Sequence, residues 1–127
     1  MRRDLYGPDH EAFREVVKAY VKREVIPNQQ HWEQERNVGR QAWLAAGKQS
    51  IIGLLIPERF GGPETGDFRY RCVVMEELAE VCAASLSSGF GLQDDIAIPY
   101  IVDLGTDEQL ARWRRRWRRG SASARSR

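Results

Sequence analysis

Hydrophobic positions recur with a helical spacing in the first quarter of the chain. The apolar positions follow the order i, i+3, i+4, i+7, i+8 and i+12, and they are Phe13, Val16, Val17, Tyr20, Val21 and Val25. Charged residues occupy the opposite face, so the pattern predicts an amphipathic helix that packs against other helices rather than a membrane-binding or calmodulin-binding segment. Asp9 is the predicted N-cap. Pro27 is the predicted end, because proline lacks the N–H and restricts Ile26.

Two further helices are predicted in the middle of the chain. A short one around Trp43 and Leu44 begins near Asn37 or Val38 and fades at Gly47. A longer one follows Asp67, its predicted N-cap, through the segment FRYRCVVMEELAEVCAAS. Helical spacing in that segment is kept by Tyr70, Val73, Val74, Met75, Leu78 and Val81.

The next segment predicts a helix that is interrupted or kinked, because it contains Gly89, Gly91 and Pro99. Its apolar residues still share one helical face, and they are Leu92, Ile96, Tyr100, Ile101 and Leu104. Gly105 is the predicted stop. Thr106 and Gln109 then have the spacing of a capping box, which predicts a fifth helix.

The apolar run from Ile51 to Ile56 fits either a buried strand or a buried helical turn, and periodicity does not distinguish them. The Gly/Pro-rich segment at 61–66 predicts a loop. No strand pair with a hairpin turn is visible. The predicted fold class is therefore all-α, a small bundle of about five helices.

Charge divides the chain unequally. Residues 1–111 hold 12 Lys and Arg against 18 Asp and Glu, a net charge of −6, whereas residues 112–127 hold 8 Arg and no acid. Together with a length of 127 residues, this predicts one helical domain at 1–113 and a disordered Arg/Ser/Ala-rich tail at 114–127.

Neither a membrane span nor a secretory signal is predicted, because the longest apolar run, Ile51–Pro57, is too short and the N-terminus lacks an apolar core. The predicted location is the cytosol. Cys72 and Cys82 are ten residues apart in a predicted helix, so we expect free thiols. With only His10 and His31 beside them, a metal site is not predicted.

Motifs of known catalytic chemistry are absent from the sequence. There is no P-loop, GxSxG or HExxH, and the Gly89–Gly91 segment GFG is too short for a dinucleotide fingerprint. The acidic pairs Glu76–Glu77 and Asp94–Asp95 point about 100° apart on a helix, which favours solvated faces over a shared acid–base site. No catalytic residue is predicted.

Four segments together resemble the N-terminal helical domain of the acyl-CoA dehydrogenases. They are KREVIP (Lys22–Pro27), GLLIPERFGG (Gly53–Gly62), VVMEELAEVCAAS (Val73–Ser85) and IPYIVDLGTDEQLARW (Ile98–Trp113), and the resemblance runs from about Asp4 to Trp113. The stretch SSGFGLQDDIAIPY looks most like members that take long-chain or branched acyl groups.

The resemblance implies a flavoprotein family that removes the α and β hydrogens of acyl-CoA thioesters in fatty-acid oxidation and passes a hydride to FAD. In that family a β-sheet domain and a C-terminal four-helix bundle follow the N-terminal domain, hold the flavin between them and supply the catalytic glutamate. This chain alone is therefore expected to be inactive and to bind no FAD. In that family, the helix that corresponds to GFGLQDDIAIPY lines the acyl-chain cavity. The resemblance therefore implies that Phe90, Leu92 and Ile96 bind the substrate. A buried helix face is the alternative, and Gln93 stands where many relatives have histidine.

The Arg-rich end differs from the sequence that follows GTDEQLARW in the family. Two explanations compete for it. The first is a frameshift, since all residue types after Trp113 have G- and C-rich codons. The second is binding of nucleic acid or an anionic membrane by Trp113 and Trp117 among arginines. A third hypothesis makes the whole chain a helper that completes dehydrogenase domains of another polypeptide. Alone, the chain is expected to be marginally stable or to form oligomers.

Overall fold

The computed structural model describes residues 4–118, with side chains as far as Trp113. It contains seven α-helices within that range, which are α1 (Pro8–Tyr20), α2 (Gln29–Glu35), α3 (Arg40–Lys48), α4 (Arg69–Glu80), α5 (Ala84–Gly91), α6 (Ile98–Leu104) and α7 (Asp107–Arg118). A first π turn (Val21–Val25) and a 3₁₀ turn (Ile26–Asn28) join α1 to α2, and a second π turn (Leu92–Ala97) joins α5 to α6. The described chain thus forms five continuous helical rods without a strand, which confirms the predicted all-α bundle of about five helices.

The first rod differs from its prediction at both ends. Gly7 is the N-cap and Asp9 lies inside the first turn, so the prediction of Asp9 as the cap is wrong. Pro27 does not end the rod either, because the chain passes through the π and 3₁₀ turns into α2. These turns bypass the regular bonds that proline would break. Near them the Asn28 side-chain amide donates to the Glu24 carbonyl at 2.8 Å.

The middle helices are shifted from their predicted bounds by a few residues. Helix α3 begins at Arg40 after the cap Gly39 and ends at Lys48. The cap of α4 is Phe68, yet the predicted residue Asp67 performs part of the capping chemistry, because its carboxylate accepts the Arg69 N–H at 3.0 Å. Helix α4 ends at Glu80, five residues before the predicted end. Cys82 then takes a left-handed conformation with φ +56°.

The apolar run at 51–56 is a series of turns, neither strand nor helix. The chain folds back so that the Glu64 N–H donates to the Ile56 carbonyl at 2.9 Å, within the predicted Gly/Pro loop. At Gly62 a Cβ would lie 2.1 Å from the Ile56 carbonyl oxygen, so no other residue fits without backbone movement. Most apolar side chains of the run are buried, and only Leu55 is well exposed.

The main core lies between α1, α3, α4 and α5. Phe90 packs edge-on against Trp43, with ring centroids 4.9 Å apart, and the Tyr20 hydroxyl donates to the Ala42 carbonyl at 2.8 Å. Burial raises the pKa of Tyr20 well above its usual value. A second, smaller cluster joins the 51–62 loop to the last two helices, and its buried members are Ile56, Phe60, Ile98 and Leu110.

The final helix begins as predicted. Gln109 N–H donates to the Thr106 hydroxyl at 3.3 Å, and the Gln109 side chain accepts the Thr106 N–H at 2.9 Å, which confirms the capping box. Gly105 ends α6 in an extended conformation, φ −77° and ψ 148°, rather than the left-handed one of a glycine stop. Helix α7 reaches Arg118 and so crosses the predicted boundary at 113/114. The tail from 119 onward lies outside the described residues.

Candidate functional site

Four large apolar side chains form an exposed stripe along the α5–α6 rod. They are Leu92 and Ile96, each 59 % exposed, and Tyr100 and Leu104, each 68 % exposed. Single exposed apolar residues are ordinary, whereas a contiguous row of large ones marks a surface that meets a partner or a ligand. This stripe, defined by Leu92, Ile96, Tyr100 and Leu104, is the candidate functional site.

The second π turn explains why these residues keep one face over twelve positions. In a regular α-helix, each step of four residues advances about 40° around the axis, so three steps would rotate Leu104 about 120° away from Leu92. A π turn closes with i→i+5 bonds and absorbs one extra residue, which removes about 100° of that rotation. The turn therefore lets a four-residue repeat run almost straight along the rod.

The structure brings two of the three predicted substrate-binding residues together. Leu92 and Ile96 both lie on the stripe. Phe90 does not, because its side chain is fully buried between Trp43 and Tyr20. Gln93 is buried as well. Phe90 and Leu92 are two residues apart, so on a helical rod they point to different sides.

A shallow groove extends the stripe between α6 and α7. Its volume is about 470 Å³, and it is lined by Tyr100, Ile101, Leu104, Gly105, Gln109, Arg112 and Trp113. The groove gives the stripe a concave end with both apolar and polar side chains. The predicted role of Trp117 and the tail arginines in binding nucleic acid or membrane falls on side chains outside the described residues.

Beneath the stripe lies a buried carboxylate that the sequence did not reveal. Both Asp94 oxygens accept the Gly53 N–H, at 2.9 and 3.1 Å, and the residue is 5 % exposed. Burial raises the pKa of Asp94 to about 6, although the Gly53 hydrogen bond and the Arg71 charge oppose the shift. The prediction of solvated acidic pairs is therefore wrong for Asp94. It is also wrong for Glu77, which is buried and accepts an Arg14 bond at 2.8 Å.

Arg71 approaches the same turn from α4. Its Nε donates to Asp95 Oδ1 at 3.1 Å, and its buried Nη1 has no hydrogen-bond partner within the described chain. Gly91 leaves room for the guanidinium, because a Cβ there would lie 3.3 Å from Arg71 Nη2. Only the fold could reveal this cluster, since Gly53, Arg71 and Asp95 come from three distant segments.

A second polar cluster joins the start of α1 to the residues just before α4. His10 bonds Asp67 Oδ2 through Nε2 at 2.7 Å, and its Nδ1 accepts the Gly7 N–H at 2.9 Å, which places the ring proton on Nε2. Asp67 also pairs with Arg69 at 2.8 Å, and these bonds, led by that to Arg69, hold its pKa well below the usual range. Both ring nitrogens of His10 thus form hydrogen bonds within the fold.

Residues 4–118 do not meet the requirements of a membrane-spanning helix or of a metal site. No helix in this range is long and apolar enough to cross a membrane. The range also contains no group of three or more His, Cys, Asp and Glu residues arranged to hold a metal ion. Both cysteines are free thiols, as expected, with Cys72 partly buried and Cys82 exposed.

Within the described residues, the molecule is an α-helical domain whose α5–α6 rod carries an exposed apolar stripe. Residues 7–121 match the family model "Acyl-CoA dehydrogenase, N-terminal domain". The chain therefore belongs to the acyl-CoA dehydrogenase family, as its N-terminal domain, which confirms the resemblance and the fold that it implied.

Two mammalian relatives agree with this placement. The chain is 39 % identical over 108 residues to the mitochondrial long-chain specific acyl-CoA dehydrogenase of Sus scrofa, covering 85 % of this chain and 24 % of the relative. The corresponding Mus musculus protein is 38 % identical over 111 residues, covering 87 % of this chain and 25 % of the relative. The chain thus spans about a quarter of the length of these relatives.

A solved structure shows the same fold. The crystal structure of acyl-CoA dehydrogenase from Geobacillus kaustophilus superposes with a TM-score of 0.84 at 29 % sequence identity. The match covers 96 % of this chain and 31 % of that one. Nearly the whole helical layer therefore has a counterpart in one part of a larger acyl-CoA dehydrogenase.

Proposed function

We propose that this chain acts as the N-terminal domain of a FAD-dependent acyl-CoA dehydrogenase and supplies one wall of the site for a long acyl chain. The observation that carries the proposal is the exposed stripe of Leu92, Ile96, Tyr100 and Leu104. The names of the relatives support the long-chain class.

The length and chemistry of the stripe suit a fatty acyl tail. Twelve residues of helix span roughly 18 Å, an extended dimension that a short acyl group would not fill. Each methylene that leaves water contributes about 0.8 kcal/mol, so an apolar wall gains affinity with every carbon of the tail. The stripe carries no acid or base to act on the thioester. Its role is to bind and orient the substrate.

We propose that other domains hold the FAD, because the short glycine motif of this chain gives no support for a pyrophosphate site. The Gly89–Gly91 segment lies inside α5, where Gly89 backs onto Trp43 and Gly91 onto Arg71, so it offers no open glycine loop for a pyrophosphate. The stripe itself is apolar. In the proposed function the flavin and the catalytic glutamate belong to sheet and bundle domains, and this chain contributes the substrate wall as a partner of those domains.

Complementation tests the proposal with the full 127-residue chain. The chain is co-expressed with the Geobacillus kaustophilus enzyme from which the matching N-terminal domain has been removed. We expect the pair to co-purify, to retain flavin absorbance and to dehydrogenate palmitoyl-CoA in preference to octanoyl-CoA. Each partner expressed separately provides the baseline.

Substitutions on the stripe give the specific readout. Leu92→Ser with Ile96→Ser is expected to lower kcat/KM for palmitoyl-CoA by roughly tenfold or more, because a hydrophobic pocket loses that much per methylene-sized contact. Val16→Ser, on the exposed side of α1, is the matched control. Failure of the wild-type chain to restore flavin and activity would overturn the proposal. An unchanged chain-length preference in the double variant would overturn the role of the stripe.

A further inference from the structure

We propose that Asp94 and Arg71 are positioning residues for the acyl-chain wall, because they hold the second π turn in the register that aligns Leu92 and Ile96 with Tyr100 and Leu104. This inference rests on the proposed function for the identity of the ligand.

The second π turn is expected to be less stable than regular α-helix unless other residues hold it. A π turn is rarer than an α turn, and an exposed helix gains nothing from absorbing an extra residue. Without an external restraint, the rod from α5 to α6 would be expected to return to regular α-helix. Leu104 would then rotate about 100° relative to Leu92, and the straight stripe would be broken.

Asp94 supplies the first restraint. Its two oxygens accept the N–H of Gly53, which has φ +81° and belongs to the turns at 51–56 rather than to a helix. The side chain is almost completely buried. One residue of rotation along the rod would carry the carboxylate about 100° away and leave the Gly53 N–H without its acceptor, at the cost of a buried unsatisfied donor.

Arg71 supplies the second restraint from a different element, α4. Its guanidinium binds Asp95, the next residue of the turn, and packs over Gly91, the last residue before the turn. Asp94 and Asp95 point in different directions on a helical rod, so one carboxylate is held by the 51–56 turns and the other by α4. Two neighbouring residues with partners on two sides fix the rotation of the turn.

Stability alone does not account for this polar cluster. Burying a carboxylate and a guanidinium costs desolvation, and apolar residues of the same volume often serve as well or better. The best-attested use of such groups is to select one register among several. Here the selected register is the one that produces the stripe.

The test combines the register and the substrate preference. In the full chain, NMR measures the (i, i+5) backbone contacts across Leu92–Ala97. In the complemented enzyme, kcat/KM is compared for palmitoyl-CoA and octanoyl-CoA. Asp94→Ala is expected to abolish the (i, i+5) contacts and to lower the palmitoyl preference by roughly tenfold. Asp94→Asn keeps an oxygen acceptor for Gly53 and is expected to restore both readouts.

Asp103→Ala removes an exposed aspartate of α6 and is the matched control, for which we expect the wild-type result. Asp95→Ala removes the acceptor of Arg71 Nε without touching Asp94, and it provides the same readouts if Asp94→Ala does not fold. Persistence of the (i, i+5) contacts in both Asp94→Ala and Asp95→Ala would overturn the inference. So would their loss without any change in chain-length preference. A wild-type chain that fails to complement would instead contradict the proposed function, while the NMR result would still decide whether these residues hold the turn.

Discussion

The Asp94 carboxylate lies directly against the backbone of Gly53, 41 residues earlier in the chain, and accepts its N–H with both oxygens. This contact joins the rod that carries the stripe to the turns at 51–56. It also places an ionisable group where water is excluded.

Stability is expected to depend on the ionisation of Asp94. Its pKa is about 6 in the folded chain, above the unfolded value of 3.8, so the folded state binds an extra proton between about pH 4 and 6. The contribution of this group to stability therefore rises as pH falls from 7 to 4. At pH 8 the burial of the charge costs up to about 3 kcal/mol.

Asp94→Asn removes that cost. The variant is expected to be roughly 1–3 kcal/mol more stable than wild type at pH 8, and the difference is expected to shrink towards pH 4. Urea unfolding followed by tryptophan fluorescence at several pH values measures it. Arg71 and Asp95 are the neighbouring charged groups, and both are retained. Asp103→Asn should show no such pH dependence, and an equal difference at pH 4 and pH 8 would contradict the assignment.

Phe90 and Leu92 are expected to respond in opposite ways to truncation. Phe90 is fully buried in the core, so Phe90→Ala should cost about 3–5 kcal/mol of unfolding free energy. Leu92 is exposed, so Leu92→Ala should stay within about 0.5 kcal/mol of wild type. Denaturant unfolding compares the two at a protein concentration low enough to keep the chain monomeric. Similar costs at the two positions would show that Leu92 is covered in the isolated chain.

The loop after the 51–56 turns depends on Gly62. A Cβ at this position would meet the Ile56 carbonyl at 2.1 Å, so Gly62→Ala should destabilise the chain by about 2 kcal/mol or more. Gly66→Ala is the control in the same loop, because a Cβ there meets nothing within 4 Å. The midpoints of thermal unfolding separate them. Equal midpoints would mean that the hydrogen bond from the Glu64 N–H to the Ile56 carbonyl does not form in solution.

The isolated chain is expected to associate through its uncovered stripe. Apolar surface of this kind leaves water by pairing with a second copy when nothing else covers it. Leu92→Ser with Ile96→Ser should lower the associated fraction in sedimentation velocity, whereas Val16→Ser should not. A wild-type chain that stays monomeric at high concentration would contradict this expectation.

Local patterns predicted the helical rods well. Helices or their ends were predicted correctly at three places, which are the apolar pattern from Phe13 to Val25, the pattern from Tyr70 to Leu78 and the capping box of Thr106 and Gln109. Periodicity and capping depend on residues within a few positions of one another, so the sequence suffices to find them. The same patterns placed Leu92 and Ile96 on one face. They failed at Asp9, because the helix already begins at Pro8 with Gly7 as its cap, and at Pro27, because π and 3₁₀ turns carry the rod past it.

The sequence by itself determined the all-α class, the approximate number of rods and the family, because these follow from short-range periodicity and from the order of recognisable segments. Tertiary structure alone decided that Phe90 is buried while Leu92 is exposed, that Ile51–Ile56 forms turns, and that Asp94 is covered. Each of these outcomes depends on contacts between residues tens of positions apart, such as Asp94 with Gly53 and Arg71 with Asp95. A period of 3.6 residues shows which residues share a face, but only the packing partners determine which face meets the core.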